Sequence, residues 1–481
     1  MNTMRTTRWM PALATLLVLG CGGGGGGGSS GGGNPPTGGS DRGGKTVSQG
    51  PINGFGSVIV NGVRYSTTGA VITINSRPGV ESDLRVGQVV RVQGKVDTNG
   101  TTGTATHIDY NAEVEGPVQS IDLAASRLVV LGQTVQVGPA TSFDDRIVPR
   151  SLAGLAIGDR VEVSGLVAAT GVIAATRIER KAASASVEVK GTASGVDIAA
   201  RRLRIGQLLV DYSAAQLDNF PAGQPANGDV LEASGQLDAA GVLLASRLER
   251  RSASLGGAVN DKAELEGLVT RFVSTADFDV AGQRVVATAG TSYEGGTAAN
   301  LALNASVEVK GAFDAAGRVV ADKIEFRRDS NVEISARVEA VNASAGTITL
   351  LGVTVRTSAL TRYEDQSDAD VERFSLGDVR VGDWLEVRAY LDGTSLVASL
   401  LERDDPESRV EVSGPASSIV APNFSVAGVA VTTDARTEFR NKDGGSISAA
   451  TFFAAAAGQV VKVRGSQVGN AVLAERAELD D

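Results

Sequence analysis

Carboxylates are the side chains whose number and spacing here could do chemistry. Glu162, Glu179, Glu249 and Glu325 recur in alternating segments near Arg and Lys. Paired Asp and Glu side chains are the equipment of general acid–base hydrolysis. The same pattern is also what a solvated sheet face with cross-strand ion pairs would carry, and that is the expected role. A second concentration, Glu364, Asp365, Asp368, Asp370 and Glu372, crowds one connection. Hard oxygen ligands at that density suit calcium, with Glu364, Asp365, Asp368 and Asp370 as the candidate metal ligands. Their spacing is not the D-x-[DN]-x-[DN]-G loop, so a solvated acidic loop is the plainer reading. Trp384 alternates with Glu386, which predicts an outward position. It is the candidate contact for a sugar, a partner or the neighbouring domain.

Other chemistries have little to work with. The chain has one histidine and one cysteine. His107 occupies a slot filled by Arg177, Arg247, Lys323 and Arg476 in related segments, which reads as solvent-facing. The usual zinc ligand set is therefore missing, and Ser–His catalysis would rest on His107 alone. No cofactor and no catalytic residue is expected. Net charge is −10 and aromatic residues make up 4%, without a concentrated basic stripe. That argues against a nucleic-acid partner, which needs phosphate-binding cations and stacking platforms.

The single cysteine has another use. Arg5 and Arg8 precede an apolar run, Met10 to Leu19, far shorter than the roughly 20 residues needed to cross a bilayer. This is the layout of a secretory signal peptide. Val18-Leu19-Gly20-Cys21 resembles the bacterial lipobox, although Leu19 is bulkier than that pattern prefers. The resemblance implies a signal peptide over 1–20 and a lipidated Cys21, with the lipid anchor making the membrane the first partner. Gly22, in place of the aspartate of inner-membrane retention, implies an outer-membrane address in a Gram-negative host. Glycine, serine and proline dominate the segment to residue 47, which cannot bury enough apolar surface to order itself. It is expected to be a flexible tether.

The remainder repeats six times. A hairpin glycine recurs at Gly62, Gly132, Gly206, Gly282, Gly352 and Gly428. An alternating segment follows each, ending in glycine in all but the fifth, as in Val161-Glu162-Val163-Ser164-Gly165. Each unit closes on segments such as Ala175-Thr176-Arg177-Ile178-Glu179. The expected domains are 48–112, 113–183, 184–254, 262–329, 330–404 and 407–481. Units of this size can just close their own cores, so beads in a row with modest interfaces are expected.

Within a unit the hydrophobic period is two, which marks strands with one apolar face. In the second unit five strands are predicted, at 114–122, 127–131, 134–137, 159–167 and 172–180, with a long connection before the fourth. The fold class is all-β, and the layout resembles a small five-stranded OB-like barrel. A compact antiparallel sandwich is the second choice. Phe143, Tyr293, Tyr363 and Phe439 follow a Thr-x-aromatic pattern and are expected in the core. Stretches such as 97–100, 238–241 and 314–317 read as hairpin turns.

The hairpin glycines, the V-x-V-x-G segments and the closing A-x-x-[IL]-[DE] strands resemble the DUF5666 family, bacterial lipoproteins with tandem small β-domains and no assigned function. The resemblance runs from about residue 48 to 481 and implies no activity, substrate or catalytic residue. Ala389 replaces the segment-ending glycine in the fifth unit, whose fourth strand is therefore expected to turn differently. Three functions follow in order of expectation. The first is a non-catalytic envelope or surface lipoprotein acting as a spacer or multivalent interaction array, with an envelope protein or glycan as possible partner. The second is a carbohydrate- or cell-wall-binding module, and the third a carboxylate-dependent hydrolase.

Overall fold

The computed structural model describes residues 45–480, apart from positions 253 and 372. The predicted signal peptide, most of the tether and Cys21 lie outside the described residues. Thr46 and Val47, assigned to the tether, instead begin the first strand, Thr46–Gly54.

Period-two alternation does produce a ring of five strands per unit, the third of them split into two pieces in units one, three, five and six. In the second they are Val114–Asp122, Arg127–Val130, Gln133–Phe143, Arg160–Val167 and Ile173–Arg180. First pairs with second, second with third, third in parallel with fifth, fifth with fourth, and fourth back to first. The ring is closed, which removes the open sheet edges that a chain of many strands must otherwise protect. The other five units close in the same order, as the first shows.

Local chemistry explains the corners. The second-to-third hairpin needs two residues at positive φ, so Leu131 (φ 47°) is forced into that region beside Gly132 (φ 69°). The third strand breaks midway, and the Thr-x-aromatic motif splices it. Thr141 Oγ1 accepts the Gly138 amide at 3.0 Å and donates to the Ala175 carbonyl of the fifth strand at 2.7 Å. Thr291, Thr361 and Thr437 donate to Ala321, Ala398 and Ala474 in the same way. The aromatic that follows packs on the barrel core, with Phe143 and Phe439 buried and Tyr293 and Tyr363 at its margin. The fourth strand carries a bulge at its glycine in each unit, and the fifth unit keeps that bulge at Arg388/Ala389. Ala389 does not change the turn, contrary to expectation.

The barrels are not beads in a row. The first half of each first strand has a second free edge, and the chain spends it on a neighbour. Barrels two and three pair there antiparallel, Glu115 to Glu188 and Val114 to Val189. Barrels five and six repeat this, with Ile334 opposite Val412. Barrels one and four, distant in sequence, pair in parallel from Thr46–Lys262 to Gln49–Leu265. Barrels two and three share one hydrophobic core, as do five and six. The described residues belong to one compact unit.

Candidate functional site

Alternation along Arg160–Val167 turns Val161 and Val163 inward and Glu162 and Ser164 outward, yet all four are buried. A neighbouring barrel, not water, covers the outer side. This corrects the expectation of a solvated face.

Carboxylates meet head-on across the fourth and fifth strands. Glu162 lies opposite Glu179, Glu232 opposite Glu249, Glu308 opposite Glu325, and Glu386 opposite Glu402. The first strand adds Glu115 opposite Glu162 and Glu266 opposite Glu308. Like charges facing each other are destabilising, and buried ones need a partner. The chain supplies one two residues beyond the fifth-strand glutamate. Lys181 stands 3.4 Å from Glu162 and 3.6 Å from Glu179, and Arg251 3.3 Å from Glu232 and 3.1 Å from Glu249. Arg327 reaches Glu266 at 2.9 Å and Glu325 at 2.8 Å, and also bonds Glu308. In barrels one and six the opposed pair is already mixed, Arg91 with Asp109 and Lys462 with Glu478.

These environments separate the two acids of a pair. Burial raises the proton affinity of Glu162 against the pull of Lys181, and that of Glu308 against Arg327 and Lys310. Glu179 and Glu325 are half-buried, which also favours the proton, but Arg177 and Arg327 respectively hold them below the usual range. Such a split is the pattern that acid–base catalysis exploits. Here the oxygens already serve protein donors. Tyr110 and Asn75 of barrel one donate to Glu162 at 3.0 and 2.9 Å, and the Glu162 side chain is 2% exposed. The row of barrel two therefore acts as a joint to barrel one.

A longer joint links barrels two and five. Arg150 donates to Asp404 at 2.7 Å and to the Gln366 carbonyl at 2.6 Å. Arg362 is buried and donates to the carbonyls of Thr176 and Ala140. Arg177, in a slot read as solvent-facing, is buried and reaches the Val86 carbonyl of barrel one. His107, in that slot of barrel one, is exposed, with Thr106 its neighbour at 3.2 Å.

The four candidate calcium ligands do not converge. Glu364 and Asp365 are consecutive on a strand and face opposite sides, Glu364 beside Glu402 and Asp365 beside Arg403. Arg403, Ser367 and the Val371 amide occupy the oxygens of Asp365. Burial alone would raise its pKa, but these donors prevail and hold it at about 2. Asp368 and Asp370 stay exposed, and Glu372 lies outside the described residues. Trp384, expected outward as a contact for a sugar, a partner or the neighbouring domain, is 3% exposed and part of the core shared by barrels five and six, with its indole nitrogen 2.9 Å from Ser335 Oγ. Alternation put it on the outer side of its barrel, and the barrel assembly closed over that side.

Sequence reasoning missed Asp404, Glu386, Glu402 and Arg150 as members of one cluster. The signal was present as the glutamate-x-cation ending of barrels two to four, which becomes Glu402-Arg403-Asp404 in barrel five. Closed five-stranded β-barrels in tandem, joined through buried ionic rows, define the class of protein. The chain belongs to the family Domain of unknown function (DUF5666), whose profile matches residues 46–109, 115–179, 191–249, 266–325, 335–402 and 413–478. No curated protein matches the chain.

Proposed function

We propose that this is a lipid-anchored envelope protein, acylated at Cys21 and held at the outer membrane, whose six barrels form a non-catalytic spacer or multivalent interaction array. The observation that carries this reading is where the ionisable groups are spent. The carboxylate pairs that a hydrolase would turn toward a substrate are bound by Lys181, Arg251 and Arg327 of their own barrels, and Glu162 is covered by barrel one. What differs between barrels is the connection before the fourth strand. It holds a short 3-10 turn at Leu152–Gly154 in barrel two and a helix, Ala449–Ala455, in barrel six. Varied loops on a repeated scaffold are where weak, additive contacts are built.

The test is a glycan and cell-wall binding screen of the detergent-solubilised full chain, with and without Ca²⁺. Several weak contacts that strengthen with ligand valency support the array, and no binding with intact β-sheet circular dichroism supports the spacer. Saturable binding of one purified glycan would move the assignment to a binding module, and turnover of that glycan to a hydrolase.

A further inference from the structure

Barrel five breaks the rule that neutralises the other glutamate pairs. Glu386 and Glu402 face each other across its fourth and fifth strands, as Glu162 and Glu179 do in barrel two. Two residues beyond the fifth-strand glutamate, where Lys181, Arg251 and Arg327 stand, barrel five has Asp404. The internal cation has become a third acid. One oxygen from each of Glu386, Glu402 and Asp404 lies within 4.8 Å of the others, the only such triad among the described residues. Ligands on opposite sides of a calcium ion stand roughly 4.6–5.2 Å apart, so these oxygens are close enough to share one ion.

A second observation points the same way. Glu364 lies beside Glu402 on the neighbouring strand, its side chain 5% exposed, and its Oε1 has no hydrogen-bond partner. The nearest cation to that oxygen is Arg177, at 3.9 Å and itself bound to Glu179 at 2.6 Å. Gln366 donates to the other oxygen of Glu364 at 3.0 Å, while its own Oε1 is buried and unpartnered. A buried carboxylate oxygen without a hydrogen-bond donor thus stands on the strand beside Glu402. The arginines present are shared or peripheral. Arg388 divides itself between Glu386 and Glu333, and Arg150 approaches from barrel two, 2.7 Å from Asp404 and 3.6 Å from Glu402.

We propose that Glu386, Glu402 and Asp404 bind one hard divalent cation, of the Ca²⁺ or Mn²⁺ class, in the position that a lysine or arginine side chain fills in barrels two, three and four. An all-oxygen donor set selects such ions over zinc or copper. Mg²⁺ gives up its waters reluctantly and fits a largely buried site less well.

Equilibrium dialysis of the full chain against Ca²⁺ alone and Mn²⁺ alone tests the proposal. One saturable ion per chain is expected, with affinity lowered at least about tenfold by Asp404→Asn. Asp404→Lys restores the internal cation of barrel two, so it should abolish saturable binding. It should also hold the metal-free protein at the melting temperature that the wild type reaches only with metal. The double substitution Asp368→Asn with Asp370→Asn should leave binding unchanged. If Asp404→Lys fails to fold, Glu386→Gln with unaltered circular dichroism takes its place and should likewise lose the ion. No saturable binding at millimolar metal overturns the proposal. So does full stoichiometry in Asp404→Lys, or in a folded Glu386→Gln, and so does loss of binding in the Asp368/Asp370 double variant.

Discussion

Replacing Arg327 with methionine keeps much of the side-chain stem and removes the charge that holds three glutamates. The guanidinium lies 2.9 Å from Glu266 and 2.8 Å from Glu325, and it also bonds Glu308, whose side chain is 2% exposed. Arg327 itself is 15% exposed, so solvent screens it little. Breaking a buried pair by removing one partner costs about 3–5 kcal/mol. Lys310 stays 3.2 Å from Glu308 and softens the loss, which places the expected value near the lower end, about 3 kcal/mol at pH 8. The pH dependence carries the diagnostic. Without Arg327 the folded glutamates bind protons more tightly than the same residues in the unfolded chain. The folded state then holds the extra protons, and stability must fall as pH rises above the ordinary glutamate value of 4.5. The penalty should therefore shrink to roughly half at pH 5, where protonation relieves the repulsion. Urea unfolding at both pH values, with hydrogen exchange read on Ser306–Phe313 and Val319–Phe326, measures it where it acts. A loss under about 1 kcal/mol that does not change with pH would refute the reasoning, since solvated surface pairs behave that way.

Other predictions follow from the same geometry. Burial, then Glu232, Glu115 and Glu162, raises Glu188 to about 8, so its stabilising proton is present below 4.5 and lost as pH climbs through 8. Glu188→Gln should accordingly melt higher than the wild type by about 2 kcal/mol near pH 9 and equal it near pH 4, read by denaturation at the two pH values. Thr361→Val removes the 2.7 Å bond to the Ala398 carbonyl and strands the Ser358 amide, which should cost about 1–3 kcal/mol in urea unfolding. Trp384→Ala should cost about 3–5 kcal/mol by emptying a core position, with no change in any glycan or protein binding that the wild type shows.

Much of the architecture was legible because it rests on local patterns. Period-two runs, hairpin glycines and six registers in step gave the strands, their number and the OB-like closure. The Thr-x-aromatic motif marked the right place in the third strand, although its hydroxyl turns out to splice a break. Alternation distinguishes one side of a strand from the other but does not say what covers each side. Glu162 was therefore read as outward and solvated and Trp384 as outward, and both are covered by protein. Pairing of Val114 with Val189, or of Thr46 with Lys262, depends on edges that only the assembled barrels bring together. The acidic loop misled for a related reason: Glu364 and Asp365 are neighbours in sequence and face opposite sides of the sheet. Glu386, Glu402 and Asp404 are spread over 19 positions and meet because two antiparallel strands align them. Comparing barrels two to five position by position would have exposed Asp404 where barrels two, three and four carry a cation.

The central claim, an anchored body and not a secreted enzyme, is tested most directly at Cys21. The full chain and its Cys21→Ser variant would be expressed in a Gram-negative host fed labelled palmitate, and their envelope fractions compared. The account predicts label on the wild type alone, with the wild type in the outer membrane and the variant released as soluble protein. An unlabelled wild type, or the same fractionation for both, would contradict it.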